Sequence, residues 1–113
     1  MYNASNVNIT QVSQNLSNNE IRAVIFHAAS VKGWRVIKQG QGAADLQVNV
    51  RDHQATVRLS YNRQAFSIQY LSSSNLLYTG NTIHRNYNKW IILLERQIIS
   101  ELSQASAQKT LGR

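Results

Sequence analysis

The sequence predicts an α+β domain in the order helix, four-stranded antiparallel meander, long C-terminal helix, with both helices on one face of the sheet. Three observations carry this. Apolar residues recur at steps of three and four over 21–31 and again over 83–102, the period of a helix face. Between them the period falls to two, with apolar and polar residues alternating from Trp34 to Tyr70. The alternating stretches are joined by links too short for a crossover, so neighbours run antiparallel and leave one face wet.

The first helix has a start signal. In Ser17-Asn18-Asn19-Glu20 the Ser17 hydroxyl can accept from the Glu20 amide while the Glu20 side chain returns to the Ser17 amide, a capping box. Leu16 and Ile21 flank it as a hydrophobic staple. Ile21, Val24, Ile25, Ala28 and Val31 then share one face, and Gly33 stands where a left-handed cap ends the helix. The helix is read over 18–32, with Trp34 folding back on Ala28 or Ala29. The strands follow: 34–38 up to Gly40-Gln41-Gly42, then Ala44 to Val50, a tight turn at Asp52-His53, Ala55 to Tyr61, and Phe66 to Tyr70. Ser72-Ser73-Ser74-Asn75 breaks the alternation, and 75–82 reads as a loop. In the last helix Ile83, Tyr87, Trp90, Ile91, Leu94, Ile98 and Leu102 form one stripe, widened by Ile92, Leu93 and Ile99. Both helix stripes need a surface to cover them, and the apolar sheet face supplies it. Residues 1–16 read as an extended arm or a short edge strand, 17–104 as a single domain, and 105–113 as a tail that frays.

Composition narrows the function. The 113 residues contain no cysteine, which excludes disulfide scaffolds, thiol catalysis and cysteine-based zinc sites. The net charge is +7, from 12 Lys+Arg against 5 Asp+Glu. The rest of the surface is amide and hydroxyl, with 12 Asn, 11 Gln and 12 Ser. No apolar run is long enough to span a bilayer. The first residues lack the charged and apolar regions of an export leader, which is consistent with a cytosolic protein or a mature exported domain.

The titratable residues do not assemble into an evident catalytic set. Acid–base chemistry needs paired groups. Here Glu20 is used by the cap, and Glu95 and Glu101 read as ordinary positions on a helix's polar side. His27 reads as a half-buried structural imidazole, and Asp52-His53 as a turn. His27, His53 and His84 have no metal-ligand spacing, so neither a metal nor a cofactor is expected. The densest polar block, Ile83 to Trp90, opens the long helix. There His84, Arg85, Asn88 and Lys89 lie off the apolar stripe and could add donors to the unpaired amides for an anion. Tyr70, Ser74, Asn75, Tyr78, His84, Asn86, Tyr87 and Asn88 are expected to meet where the last strand leaves the sheet. There they form either a functional patch or a tie that holds down the 72–82 loop. Arg51 and Arg58 are expected together on the wet face. A nucleic-acid sheet platform also needs exposed aromatics, and Tyr61, Phe66 and Tyr70 fall on the apolar parity.

Several stretches carry a resemblance: Arg51 to Tyr61, Phe66 to Tyr70, Ser74-Asn75-Leu76 and, most specifically, Ile83-His84-Arg85-Asn86-Tyr87-Asn88-Lys89-Trp90-Ile91. Over roughly residues 20–99 the chain resembles the mature domain of small proteobacterial envelope lipoproteins; Trp34 and Gly42 also fit, and Phe66 stands where a Tyr is expected. Members of that family carry an export signal with a lipobox cysteine. The resemblance therefore implies a periplasmic or outer-membrane-attached domain whose leader and anchor have been removed, touching membrane only through that anchor. It implies no catalytic residues. The expectation is a non-enzymatic envelope module, a monomer or weak dimer, binding an envelope protein or anionic polymer. The alternatives are a cytoplasmic nucleic-acid binder and, less favoured, a small hydrolase.

Overall fold

The computed structural model describes residues 3–51, 53–74 and 81–111, without the side chains of Ser74 and 81–85. Its strands are β1 (Ala4–Asn8), β2 (Trp34–Gly40), β3 (Ala43–Val50), β4 (His53–Tyr61) and β5 (Ala65–Ser74). Its helices are α1 (Thr10–Ser13), α2 (Asn18–Val31) and α3 (Asn81–Leu111). The fold is α+β, with all strand pairs antiparallel in the order β1-β5-β4-β3-β2.

The sheet has five strands where the alternation marked four. The fifth is the N-terminal arm, which lies antiparallel along β5 and seals its edge. Its pattern is faint because the strand bulges between Ala4 and Val7, with Asn6 in the left-handed region at φ 50°. A bulge breaks the two-residue period. Strand β5 also runs on to Ser74, through the serines that seemed to end it. An extra residue at Leu71 separates the Val57–Tyr70 and Thr56–Ser72 pairs, so the pattern breaks while the strand does not.

Helix α2 is capped as its sequence demands. Ser17 Oγ accepts from the Glu20 amide at 3.1 Å, and Glu20 Oε1 accepts from the Ser17 amide at 2.8 Å. Gly33 follows at φ 87°, a conformation that side chains resist, and its amide bonds the Ser30 carbonyl at 3.1 Å. The stripe of α3 is fully buried at Tyr87, Ile91, Leu94, Ile98 and Leu102. With Ile21, Ile25 and Ala28 of α2 it covers Leu46, Val48, Ala55, Val57, Leu59, Phe66 and Ile68 on one sheet face.

Residues 105–111, expected to fray, are helical. Asn15 holds them: its Nδ2 donates to the Ser106 carbonyl and to Thr110 Oγ1, each at 3.0 Å, and its Oδ1 accepts from Ser106 Oγ at 2.7 Å. Lys109 Nζ pairs with Glu20 Oε1 at 2.7 Å. The last turns of α3 are thus fastened to Asn15 and to the start of α2.

Candidate functional site

The helices leave the outer sheet face open. Each polar position of β3 faces one of β4, because Asp45 pairs with Arg58, Gln47 with Thr56 and Asn49 with Gln54. The side chains follow this register. Arg58 Nε donates to Asp45 Oδ1 at 2.9 Å and its Nη2 to Oδ2 at 3.3 Å, a bidentate fork. Arg35 Nη2 donates to Gln47 Oε1 at 2.9 Å, and Gln47 Nε2 reaches Thr56 Oγ1 at 3.5 Å. Gln54 Nε2 donates to Asn49 Oδ1 at 3.0 Å. The result is a series of polar rows running across the strands. The fork to Arg58 holds the Asp45 carboxyl below its ordinary range and the Arg58 guanidinium above its own.

Arg51 does not join Arg58. It leaves β3 in the β3–β4 turn at φ 56°, exposed, while Val50 pairs with His53. From His53 to Arg58 the strand rises about 17 Å at 3.4 Å per residue, so the two arginines do not act on one point. Arg58 itself is committed to Asp45. Asp52, the other half of the turn, lies outside the described residues.

The junction of β5 and α3 assembles in part. Tyr70 and Tyr87 meet edge to face, ring centroids 5.5 Å apart at 85°. Tyr70 Oη lies 2.7 Å from Ser73 Oγ. Tyr87 is fully buried, and its hydroxyl has no hydrogen-bond partner among the described residues. Burial, with Tyr70 adding to it, drives the Tyr87 phenol well above its ordinary pKa. Asn86 is exposed and Asn88 half-buried on the first turns of α3. Asn75 and Tyr78 lie outside the described residues, as do the side chains of Ser74, His84 and Arg85. The described part of the junction is a packed aromatic pair.

His27 and Glu101 depart from their sequence reading. The imidazole is exposed, and its Nδ1 lies 2.6 Å from Glu101 Oε1. Gln97 Nε2 donates to the other carboxylate oxygen at 2.7 Å. Burial works against the carboxylate, yet the bonds from Gln97 and His27 outweigh it and hold the carboxyl below its ordinary range. The pair sits in a groove of about 460 Å³ between α2 and α3, walled by Val24, Val31 and Ala105. Sequence spacing could not reveal it, because the partners are 74 residues apart.

Among the described residues no three His, Asp or Glu gather to hold a metal ion, and no helix is long and apolar enough to cross a membrane. No family model, curated protein or solved structure matches the chain.

Proposed function

We propose that the chain is a non-catalytic binding module of the bacterial cell envelope whose open sheet face takes an acidic polysaccharide. The observation that carries this is the set of cross-strand polar rows, Arg35–Gln47–Thr56, Asp45–Arg58 and Asn49–Gln54. Amide and hydroxyl side chains both donate and accept, which matches the hydroxyls of a sugar polymer. The rows are already hydrogen-bonded across a rigid sheet, so little side-chain freedom is lost when a ligand docks. The net charge of +7 favours an anionic partner over a neutral one. Nucleic acid is the weaker reading, because Phe66 is buried in the core and Tyr70 is engaged with Tyr87, which leaves only the half-buried Tyr61 ring where successive bases need several.

The envelope location rests on the resemblance of the block from Ile83 to Ile91, and a monomer or weak dimer on the sheet edges. Both edge strands carry irregularities, at Ala4/Val7 and Val36/Lys38, which hinder pairing with a second copy. The test is retardation in gels cast with polygalacturonate, neutral dextran or no polymer, with oligothymidylate binding measured alongside. Retardation by polygalacturonate alone is expected, weakened in a Gln47→Ala/Thr56→Ala double variant that leaves charge unchanged. Tight oligothymidylate binding without polygalacturonate retardation would replace this reading with the nucleic-acid one. Fractionation of cells making the native gene product should place it in the periplasm or outer membrane; recovery in the cytosol contradicts the location.

A further inference from the structure

At one end of the sheet the surface folds inward twice around Tyr61. The first cleft, about 300 Å³, lies between the start of α2 and the β2–β3 turn, lined by Asn18, Asn19, Arg22, Gln41, Tyr61 and Asn62. The second, about 280 Å³, opens toward the outer face between β1, β4 and β5, with Asn6, Ser60 and Ser67 on its walls. Both share Gly42, Tyr61 and Asn62, so they form two compartments of one groove.

Local chemistry holds this groove in shape. The Tyr61 amide donates to the Gly42 carbonyl at 2.9 Å, joining the β2–β3 turn to the end of β4. Gly42 turns at φ 74°, and a Cβ there would lie 3.5 Å from the Tyr61 carbonyl. Asn62 Oδ1 accepts from the amides of Gln64 and Ala65 at 2.7 and 2.9 Å, which fixes the turn and leaves its Nδ2 as a donor. Tyr61 is half-buried: its ring packs on the core and also borders both compartments. Burial raises its phenol pKa against the opposing charge of Arg22, which lines the same cleft. The side chains of Asn18, Asn19, Arg22 and Gln41 are exposed on the walls of the first compartment.

We infer that this groove is a subsite for one acidic sugar and its neighbour, with Arg22 pairing the sugar carboxylate, the amides of Asn18, Asn19, Gln41 and Asn62 reading its hydroxyls, and Tyr61 lying against the ring between the two units. The inference rests on the proposed polysaccharide reading and deepens it. One cation suits one carboxylate, whereas a polyphosphate would call for several. Amides that donate and accept suit vicinal hydroxyls. The first compartment is at the lower end of the range for small-ligand sites, room for a single pyranose, and the second continues toward the sheet face where the polymer would run.

The experiment is amide-proton NMR of the full chain titrated with digalacturonate, neutral digalactose and sodium acetate, each to about 10 mM, a range that captures millimolar affinity. Digalacturonate should shift the amides of Asn18, Asn19, Gln41, Tyr61 and Ser67. Arg22→Gln, an exposed substitution, should weaken it about tenfold, the loss of one charge-assisted contact. Tyr61→Phe, which keeps the ring, should leave most of the affinity. Acetate shifting the same amides with equal affinity would reduce the groove to an anion site and overturn the sugar assignment. Shifts confined elsewhere, or unchanged affinity in Arg22→Gln, would overturn it too. If the wild type is retarded by polygalacturonate while the groove amides stay still, the subsite fails and the sheet-face reading stands; loss of retardation itself fails the reading beneath.

Discussion

Arg51 stands at φ 56° in a turn where glycine or asparagine is at home. A side chain in that region costs about 1 kcal/mol. Arg51→Gly should therefore raise the midpoint of urea unfolding, by about 1 kcal/mol in stability, even though it removes a charge. A loss of stability would show that the guanidinium holds the turn. Tyr87 makes a second residue-scale case. Its hydroxyl is buried with no partner among the described residues, a state worth about 1–3 kcal/mol of penalty. Tyr87→Phe keeps the ring against Tyr70 and should leave stability unchanged or increased. A drop of more than about 1 kcal/mol would mean that the hydroxyl is satisfied in solution.

At the scale of elements, the helices were more legible than the links. The capping box, the staple, Gly33 and the stripe of α3 could each be read from spacing alone, because helical contacts lie three or four residues apart. The strand alternation was equally plain for β3 and β4. What escaped was register. A tight turn placed at Asp52-His53 would set Arg51 on the sheet opposite Gln54, whereas the structure pairs Val50 with His53 and puts Arg51 in the turn itself. Moving a turn by one residue moves the pairing by two: every side chain keeps its face and changes its partner. Hence the alternation shows which residues of β3 and β4 face outward, but not that Asp45 meets Arg58 or that Arg51 leaves the sheet. Bulges blur β1, legible only as an extended arm or a short edge strand, and hide the end of β5 for a related reason. Tertiary pairs such as His27–Glu101 and Asn15–Ser106 leave no local trace.

The fastening of α3 to the N-terminal segment gives an element-scale test. Asn15 makes three hydrogen bonds to the last turns of α3, so Asn15→Ala should cost about 1–3 kcal/mol and raise amide exchange in residues 104–111. Unchanged exchange would show that those turns hold on their own. The His27–Glu101 contact between α2 and α3 adds a pH dependence. Its carboxyl, like those of Glu20 and Asp45, has a lowered folded-state pKa. On acidification the unfolded chain takes up these protons first. The contribution is therefore present above the ordinary carboxylate values of 3.8 and 4.5 and lost as pH falls through the lowered ones. Glu101→Gln should destabilise the protein at neutral pH, and its deficit should shrink in acid. A deficit constant with pH would remove Glu101 from the account.

For the whole molecule, the division of labour is between two faces. The helices cover one face of the sheet and bury its apolar side chains, and the other face is left as ordered polar rows beside a groove at Tyr61. The charge of +7 first suggests nucleic acid, but position changes its meaning. Arg58 is tied to Asp45 and Lys109 to Glu20, while Arg35 orients Gln47. These three of the 12 basic residues thus organise the surface before any ligand arrives. Helices α2 and α3 and strands β2 to β4 are foreseeable from pattern; the candidate site is not, because it is made by register and by loops meeting at a sheet end.

The most direct measurement is amide-proton NMR mapping of the intact chain with short polygalacturonate oligomers. Shifts are expected along the outer face, at Gln47, Thr56, Arg58 and Gln69, running on to Tyr61. Shifts confined to the helices, or none at oligomer concentrations of about 10 mM, would contradict it.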